Sequence, residues 1–112
     1  MVKVLRILHG EIRTPPMSVE ARREAGFLLR QLQEGIALSL PASRPMPEIE
    51  GGCHELRVKD GSHAWRIVYS VERDAILILE VFGKGSKKTP KQVKEICRKR
   101  VREYRRLVRE ES

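Results

Sequence analysis

The residues of this chain best suited to chemistry are cations gathered around one apolar run. Residues 75–79, Ala-Ile-Leu-Ile-Leu, lead through Glu80, Val81 and Phe82 into Gly83-Lys84-Gly85-Ser86-Lys87-Lys88-Thr89-Pro90. A buried strand that empties into a small, glycine-bearing loop with three lysines suits an anion. A nucleotide-triphosphate loop requires Gly-x-x-x-x-Gly-Lys-Ser/Thr between a parallel strand and a helix. Here the glycines stand two apart, Gly85 is followed by Ser86, and the preceding strand reads as part of an antiparallel meander. A nucleoside triphosphate and a dinucleotide are both disfavoured, and no cofactor is expected. The loop runs into a helix start, where free backbone N–H groups favour anions. A phosphodiester backbone is the better fit.

Two arginines join this group through the strand register. Side chains alternate between the faces of a strand, so a pairing can be tested by the face it buries. With residues 60–63 as a hairpin loop, Val58 faces Trp65, Leu56 faces Ile67 and His54 faces Tyr69, which makes an apolar face. On the other face Lys59 meets Ala64, Arg57 meets Arg66 and Glu55 meets Val68. With residues 72–74 as a three-residue loop, Tyr69 faces Leu77, Ile67 faces Leu79 and Trp65 faces Val81. The opposite face then pairs Ser70 with Ile76, Val68 with Ile78 and Arg66 with Glu80. Like charges directly opposed across strands are destabilising, and Glu55 and Glu80 can offset part of that cost. Two guanidinium forks on adjacent strands are what a phosphate would select.

The elements that must position these residues follow from periodicity. Residues 2–8 read as a first strand ended by His9-Gly10. After Thr14-Pro15-Pro16, where a short extra turn fits, Ser18 is a helix N-cap. Ala21, Ala25, Leu28, Leu29 and Leu32 then form one helical face, and Gly35 sits at the C-terminal cap. Pro41, Pro45 and Pro47 make residues 40–47 an extended loop. Strands are predicted over 53–59, 64–71 and 75–82. A helix of roughly 20 residues follows from Pro90, opened by Thr89-Pro90-Lys91-Gln92 as a capping box. Its apolar stripe is Val93, Ile96, Cys97, Val101, Tyr104, Leu107 and Val108, so Tyr104 is expected in the core. Residues 83–88, with two glycines and no apolar anchor, are expected to be mobile. The fold class is α+β: an antiparallel sheet made of the N-terminal strand and a three-stranded meander, one or two N-terminal helices and a long C-terminal helix.

Composition sets the outer limits. The 112 residues suit a single domain, 1–112, with a net charge of +8 from 23 Lys+Arg against 15 Asp+Glu. Such a balance points to nucleic acid or an acidic protein partner. Only Phe27, Trp65, Tyr69, Phe82 and Tyr104 are aromatic, which argues against a base-stacking platform. Cys53 and Cys97 form no Cys-x-x-Cys pair, and His9, His54 and His63 lack ligand spacing, so neither a metal site nor a disulfide is expected. No apolar run approaches the ~20 residues of a membrane span, and the N-terminus lacks a signal peptide's pattern. The expected location is the cytoplasm.

The segments "GCHELR", "WRIVYSV" and "ILILEVFGKGSKKTP", followed by the closing basic helix, resemble the RelE/ParE toxin superfamily. The likeness is to the phage-derived, HigB-like branch of bacterial type II toxin–antitoxin systems. "RPMPEIEGGCHELR" adds to it, and it is strongest over residues 52–104. The resemblance implies a small sheet with helices on one side and an active groove on the open side. It implies a ribosome-dependent mRNA endoribonuclease in which the 2′-hydroxyl attacks the adjacent phosphate without a metal. Such a reaction asks for a base, for cations on the developing charge and for an acid.

The family's strand arginine matches Arg66, and its basic position on the preceding strand matches Arg57. Its cationic group after the last strand matches Lys84, Lys87 and Lys88. Lys59, Ser86, Lys88 and Thr89 are candidate contacts to the RNA backbone. Some family enzymes use a late tyrosine or histidine; no histidine follows His63 here, and the general base has no assigned residue. The implied partners are mRNA, the ribosome and a cognate antitoxin, of helix-turn-helix type and encoded next door. Two alternatives stay open: a ParE-like non-catalytic toxin that inhibits DNA gyrase, and a non-catalytic nucleic-acid or antitoxin-binding module.

Overall fold

A computed structural model describes residues 2–8, 17–83 and 89–111 of the chain. The elements are β1 (Val4–Ile7), α1 (Val19–Gln33), β2 (Ser43–Pro45), β3 (Cys53–Asp60), β4 (His63–Val71), β5 (Ala75–Gly83) and α2 (Lys91–Glu111). The strands form one sheet in the order β1-β5-β4-β3-β2. The α+β class and the β3–β4–β5 meander are as expected. β1 joins the free edge of β5 in parallel, so the sheet is mixed and not wholly antiparallel. β2 is a three-residue edge strand on β3, within the segment expected to be loop. An edge position is where Pro45 can be tolerated, since no second neighbour needs its missing N–H. The extra turn at Pro15-Pro16 lies outside the described residues.

The first helix begins where its cap predicts. Ser18 Oγ accepts from Ala21 N at 3.1 Å, and Gly35 follows the last turn at φ +90°. Asp60, at the β3–β4 turn, fixes this end to the sheet. Its Oδ2 accepts from Ser18 N at 2.9 Å and from Trp65 Nε1 at 3.0 Å. The turn itself is Gly61-Ser62, with Asp60 paired to His63. Gly61 has φ +62°, the left-handed first position that a type II′ hairpin assigns to glycine.

The two helices cover opposite faces, which corrects the one-sided arrangement implied by the resemblance. Ala21, Ala25, Leu28 and Leu32 of α1 pack on Leu56, Val58, Ile67, Tyr69, Ile76 and Ile78. Cys97 and Val101 of α2 pack on Cys53, Val68, Leu77 and Leu79, with Met46 and Ile49 beside them. The cause is β5. Its run Ala-Ile-Leu-Ile-Leu puts apolar side chains on both faces, and a sheet apolar on both faces must be covered twice.

That run also explains an error of register. The β3–β4 pairs are those expected from sequence, including Arg57 with Arg66. The β4–β5 pairs are not: Tyr69 faces Ile78, Ile67 faces Val81 and Arg66 faces Phe82, with a bulge between Val68 and Tyr69. The loop is one residue tighter than expected, Glu72 N donating to Ala75 O at 2.8 Å around Arg73-Asp74. The bulge returns Glu80 to the α2 face, opposite Val68.

The far end of α2 is clamped by charge. Arg105 forks onto Glu72, Nε to Oε1 and Nη2 to Oε2, both at 3.0 Å. Nη2 also donates to Gly51 O at 2.8 Å. Gly52, at φ +85°, leaves room for this arginine; a Cβ there would stand 3.1 Å from Nη2. Burial alone would raise the Glu72 pKa, but the Arg105 fork and the Ser70 hydroxyl outweigh it and hold the carboxyl below the ordinary 4.5. A depressed folded pKa contributes stability that is complete above the unfolded value and lost as pH falls through the folded one. The stability gap between wild type and Glu72→Gln, measured by urea unfolding, is therefore expected to be flat above pH 4.5 and to shrink below it. A gap that stays constant down to the acid transition would show that the pair carries none of the acid lability.

Candidate cationic site on the α2 face

Glu55, Arg57 and Lys59 alternate with Leu56 and Val58 along β3, so the three polar side chains share the α2 face. Along that row burial falls from Glu55, which is buried, through half-buried Arg57 to exposed Lys59. The start of α2 covers the first and leaves the corner beyond it open. Arg66 lies across from Arg57 on β4, and Phe82 lies across from Arg66 on β5. Arg44, on β2, lies across from Glu55. Arg44, Arg57 and Arg66 therefore occupy three neighbouring strands of one sheet face.

Arg66 is deeply set, its side chain 12% exposed. Nε lies 3.3 Å from Glu55 Oε1, an ion-pair distance without hydrogen-bond alignment. Nη1 donates to Trp65 O at 3.3 Å. Among the described residues Nη2 has no hydrogen-bond partner. Arg57 has no carboxylate partner among them, and its Nε is buried without a hydrogen bond. Burial lowers the Arg66 pKa, Glu55 raises it, and the nearby Arg57 and Arg44 lower it further.

The sequence-predicted residues fare unequally. Arg57 and Arg66 come together as expected, and Lys59 stands at the open end of the same row. Thr89 is close by, but in another role. α2 starts one residue later than the capping box implied, its first bond running from Lys94 N to Pro90 O. The Thr89 hydroxyl donates instead to Glu55 Oε2. Lys84, Ser86, Lys87 and Lys88, and with them most of the stretch expected to be mobile, lie outside the described residues. Gly83 is described and closes β5 opposite Trp65.

Sequence reasoning missed Arg44, because a three-residue strand between prolines has no periodicity to read. It also missed Arg100, whose Nη1 donates to Leu79 O and lies 3.4 Å from Glu80 Oε2.

Tyr104 is half-buried at the margin of the α2 core, beside Leu8, Ile96 and Leu107. Its neighbour Arg105 is at Glu72 and Gly51, the end of α2 away from Arg57. His54 stacks on Tyr69 with centroids 5.3 Å apart, on the α1 face. Among the described residues no three His, Cys, Asp or Glu gather as a metal site, and no helix is long and apolar enough to cross a membrane.

The family model of the phage-derived protein Gp49-like (DUF891) matches residues 15–102. The chain belongs to this family. The match spans α1, the strands β2 to β5 and α2 as far as Arg102, so the paired arginines of this Gp49-like protein fall inside the family domain. Membership is consistent with a toxin-like role, and such a role implies an antitoxin partner. No curated protein matches the chain.

Proposed function

We propose that this Gp49-like protein is the toxin of a type II toxin–antitoxin module and cleaves mRNA on the ribosome, as a HigB-like member of the RelE/ParE superfamily. The observation that carries the reading is a pair of opposed arginines, each with a buried Nε that makes no hydrogen bond, and one of them, Arg57, without a carboxylate partner among the described residues. Glu55 supplies one negative charge against two positive ones, so a like-charged pair set this deeply stays costly until a second anion completes it. A phosphodiester supplies two oxygens at the spacing of a guanidinium fork.

In the proposed reaction the 2′-oxygen attacks phosphorus, the bond to the 5′-oxygen breaks, and a 2′,3′-cyclic phosphate and a 5′-hydroxyl result. The 2′-proton passes to a base and a proton reaches the leaving oxygen. Arg66 stabilises the charge that builds on the non-bridging oxygens. Arg57, Lys59 and Arg44 hold the backbone, together with Lys84, Ser86, Lys87 and Lys88, whose chain neighbours Gly83 and Thr89 both stand at this end of the sheet. The partners are mRNA, the ribosome and an antitoxin, in the cytoplasm.

The test is primer extension on mRNA from translating ribosomes exposed to the protein. Wild type is expected to cut within codons, and uncut message would overturn the reading. Arg57→Met gives a second test. Removing one of two opposed cations while keeping the aliphatic stem should raise stability by about 0.5 kcal/mol while weakening RNA binding in a salt-dependent way. Equal or lower stability in urea unfolding would mean that the pair is not strained.

One observation favours a second reading. His54 and His63 occupy the strand positions of the α1 face, which leaves the arginine face with cations and engaged carboxylates. A site of that kind binds without cutting, as a gyrase-inhibiting toxin would. A supercoiling assay with purified gyrase separates the two.

A further inference from the structure

Glu55 is the most buried charged residue near the arginines, 1% exposed in the middle of β3. Neither oxygen is free. Oε1 faces Arg66 Nε at 3.3 Å, and Oε2 accepts from the Thr89 hydroxyl at the head of α2. A carboxylate so enclosed cannot reach a ribose hydroxyl, so it is not the missing base. Its geometry does something else. The ion pair sets Glu55 beside the side edge of a planar guanidinium, the edge that Nε and Nη2 share, so one N–H of Nη2 faces the carboxylate side and its other N–H points outward past the end of the group. Trp65 O, on Nη1, fixes the plane from the other side. Arg57 approaches from the adjacent strand with no carboxylate of its own among the described residues, so Glu55 orients one arginine and leaves the other to the ligand.

We infer that Glu55 is a positioning residue, which sets the orientation of the Arg66 guanidinium toward a phosphodiester and ties it to the start of α2 through Thr89. The inference rests on the reading of Arg66 as the phosphate-contacting group. It assigns the specificity for a phosphodiester to a triad, Glu55–Arg66–Arg57, in which only the arginines touch the ligand. Among the described residues, Glu55 also supplies the negative charge that offsets the repulsion between the arginines in the free protein.

The test uses the full chain and two readouts. The first is the Nε–Hε signals of the arginines in ¹⁵N NMR, followed during titration with a 2′-deoxy dinucleotide that cannot be cut. In wild type the Arg57 and Arg66 signals should both move. In Glu55→Gln the free-protein Arg66 signal should already be displaced, and its response to the dinucleotide should fall while that of Arg57 persists. An Arg66 signal unchanged by Glu55→Gln overturns the inference. If neither arginine of wild type responds, the proposed site itself is wrong, and this outcome is distinguishable because the free-protein displacement is read before any ligand is added.

The second readout is mRNA cleavage in a double-mutant cycle. Glu55→Gln should lose about 10-fold to 100-fold in rate, the cost of misplacing a reacting group by a fraction of an ångström to an ångström. The same change in an Arg66→Lys background should lose less than about 2-fold, because there is no fork left to orient. Thr89→Val, which removes the second contact alone and leaves the ion pair with Arg66 in place, should lose several-fold less than Glu55→Gln. A merely structural Glu55 would give losses that multiply in the cycle and a Thr89→Val deficit as large as its own; either result overturns the inference. Should Glu55→Gln fail to fold, Glu55→Asp keeps the charge but withdraws it by one methylene, and the same cycle applies.

Discussion

Arg66→Lys is expected to lose about 10²-fold or more of the mRNA-cleavage rate, the loss typical of removing one donor to a developing oxyanion. The charge is kept, so a purely electrostatic role would leave most of the rate intact. What is lost is a planar head that can meet Glu55 and Trp65 O and still donate to a ligand. Arg66 already gives Nε to the side of Glu55 and Nη1 to Trp65 O, and still has Nη2 to offer a phosphate oxygen. A lysine ammonium in the same 12%-exposed setting is a single point of charge on a flexible stem, and it sheds its hydration less readily than guanidinium does. Ribosome binding should change much less, since that term is shared among many cations. The measurement is primer extension under single-turnover conditions, beside a ribosome co-sedimentation assay. A variant that cuts at the wild-type rate would remove Arg66 from the chemistry. A variant that fails to sediment with ribosomes would make it a docking residue.

Leu79→Ala is expected to destabilise the fold by about 3 kcal/mol, within the range for a fully buried leucine whose cavity cannot collapse. Leu79 is 0% exposed and packs beneath Cys97 and Val101 of α2. It also sits at the bulge of β5, where its carbonyl accepts from Arg100, so the backbone around the cavity is held at both levels. The corresponding change on the edge strand, Ile7→Ala, removes a side chain that is 55% exposed, and should cost less than about 1 kcal/mol. Urea unfolding of both variants, compared at equal m-value, checks the contrast. A loss below about 1 kcal/mol at Leu79 would mean that α2 is only loosely docked on the sheet, and the site at its head would then be less ordered than the contacts of Glu55 and Thr89 describe.

The sequence by itself determined the pairing of the two arginines. β3 reads Glu55, Arg57 and Lys59 on one side and Leu56 and Val58 on the other, so a slip of one residue would bury three charges. That asymmetry forced the register, and the register put Arg57 opposite Arg66. The α1 boundaries were legible for a similar reason, because Ser18 and Gly35 are residues whose backbone and side-chain preferences mark helix ends.

The tertiary structure decided the rest. In β5 the alternation carries no information, since Ile76, Leu77, Ile78 and Leu79 are apolar whichever face they take; only packing against two helices fixed the bulge and its pairs. The same two-sided burial placed α2 on the arginine face and reduced the open groove expected there to the corner beyond Glu55, at Arg57 and Lys59. Glu55 could be read from sequence only as a counter-charge. Its contact with Thr89, 34 residues away, depends on where α2 starts against the sheet, and no local pattern encodes a distance between elements that meet only once the core has closed.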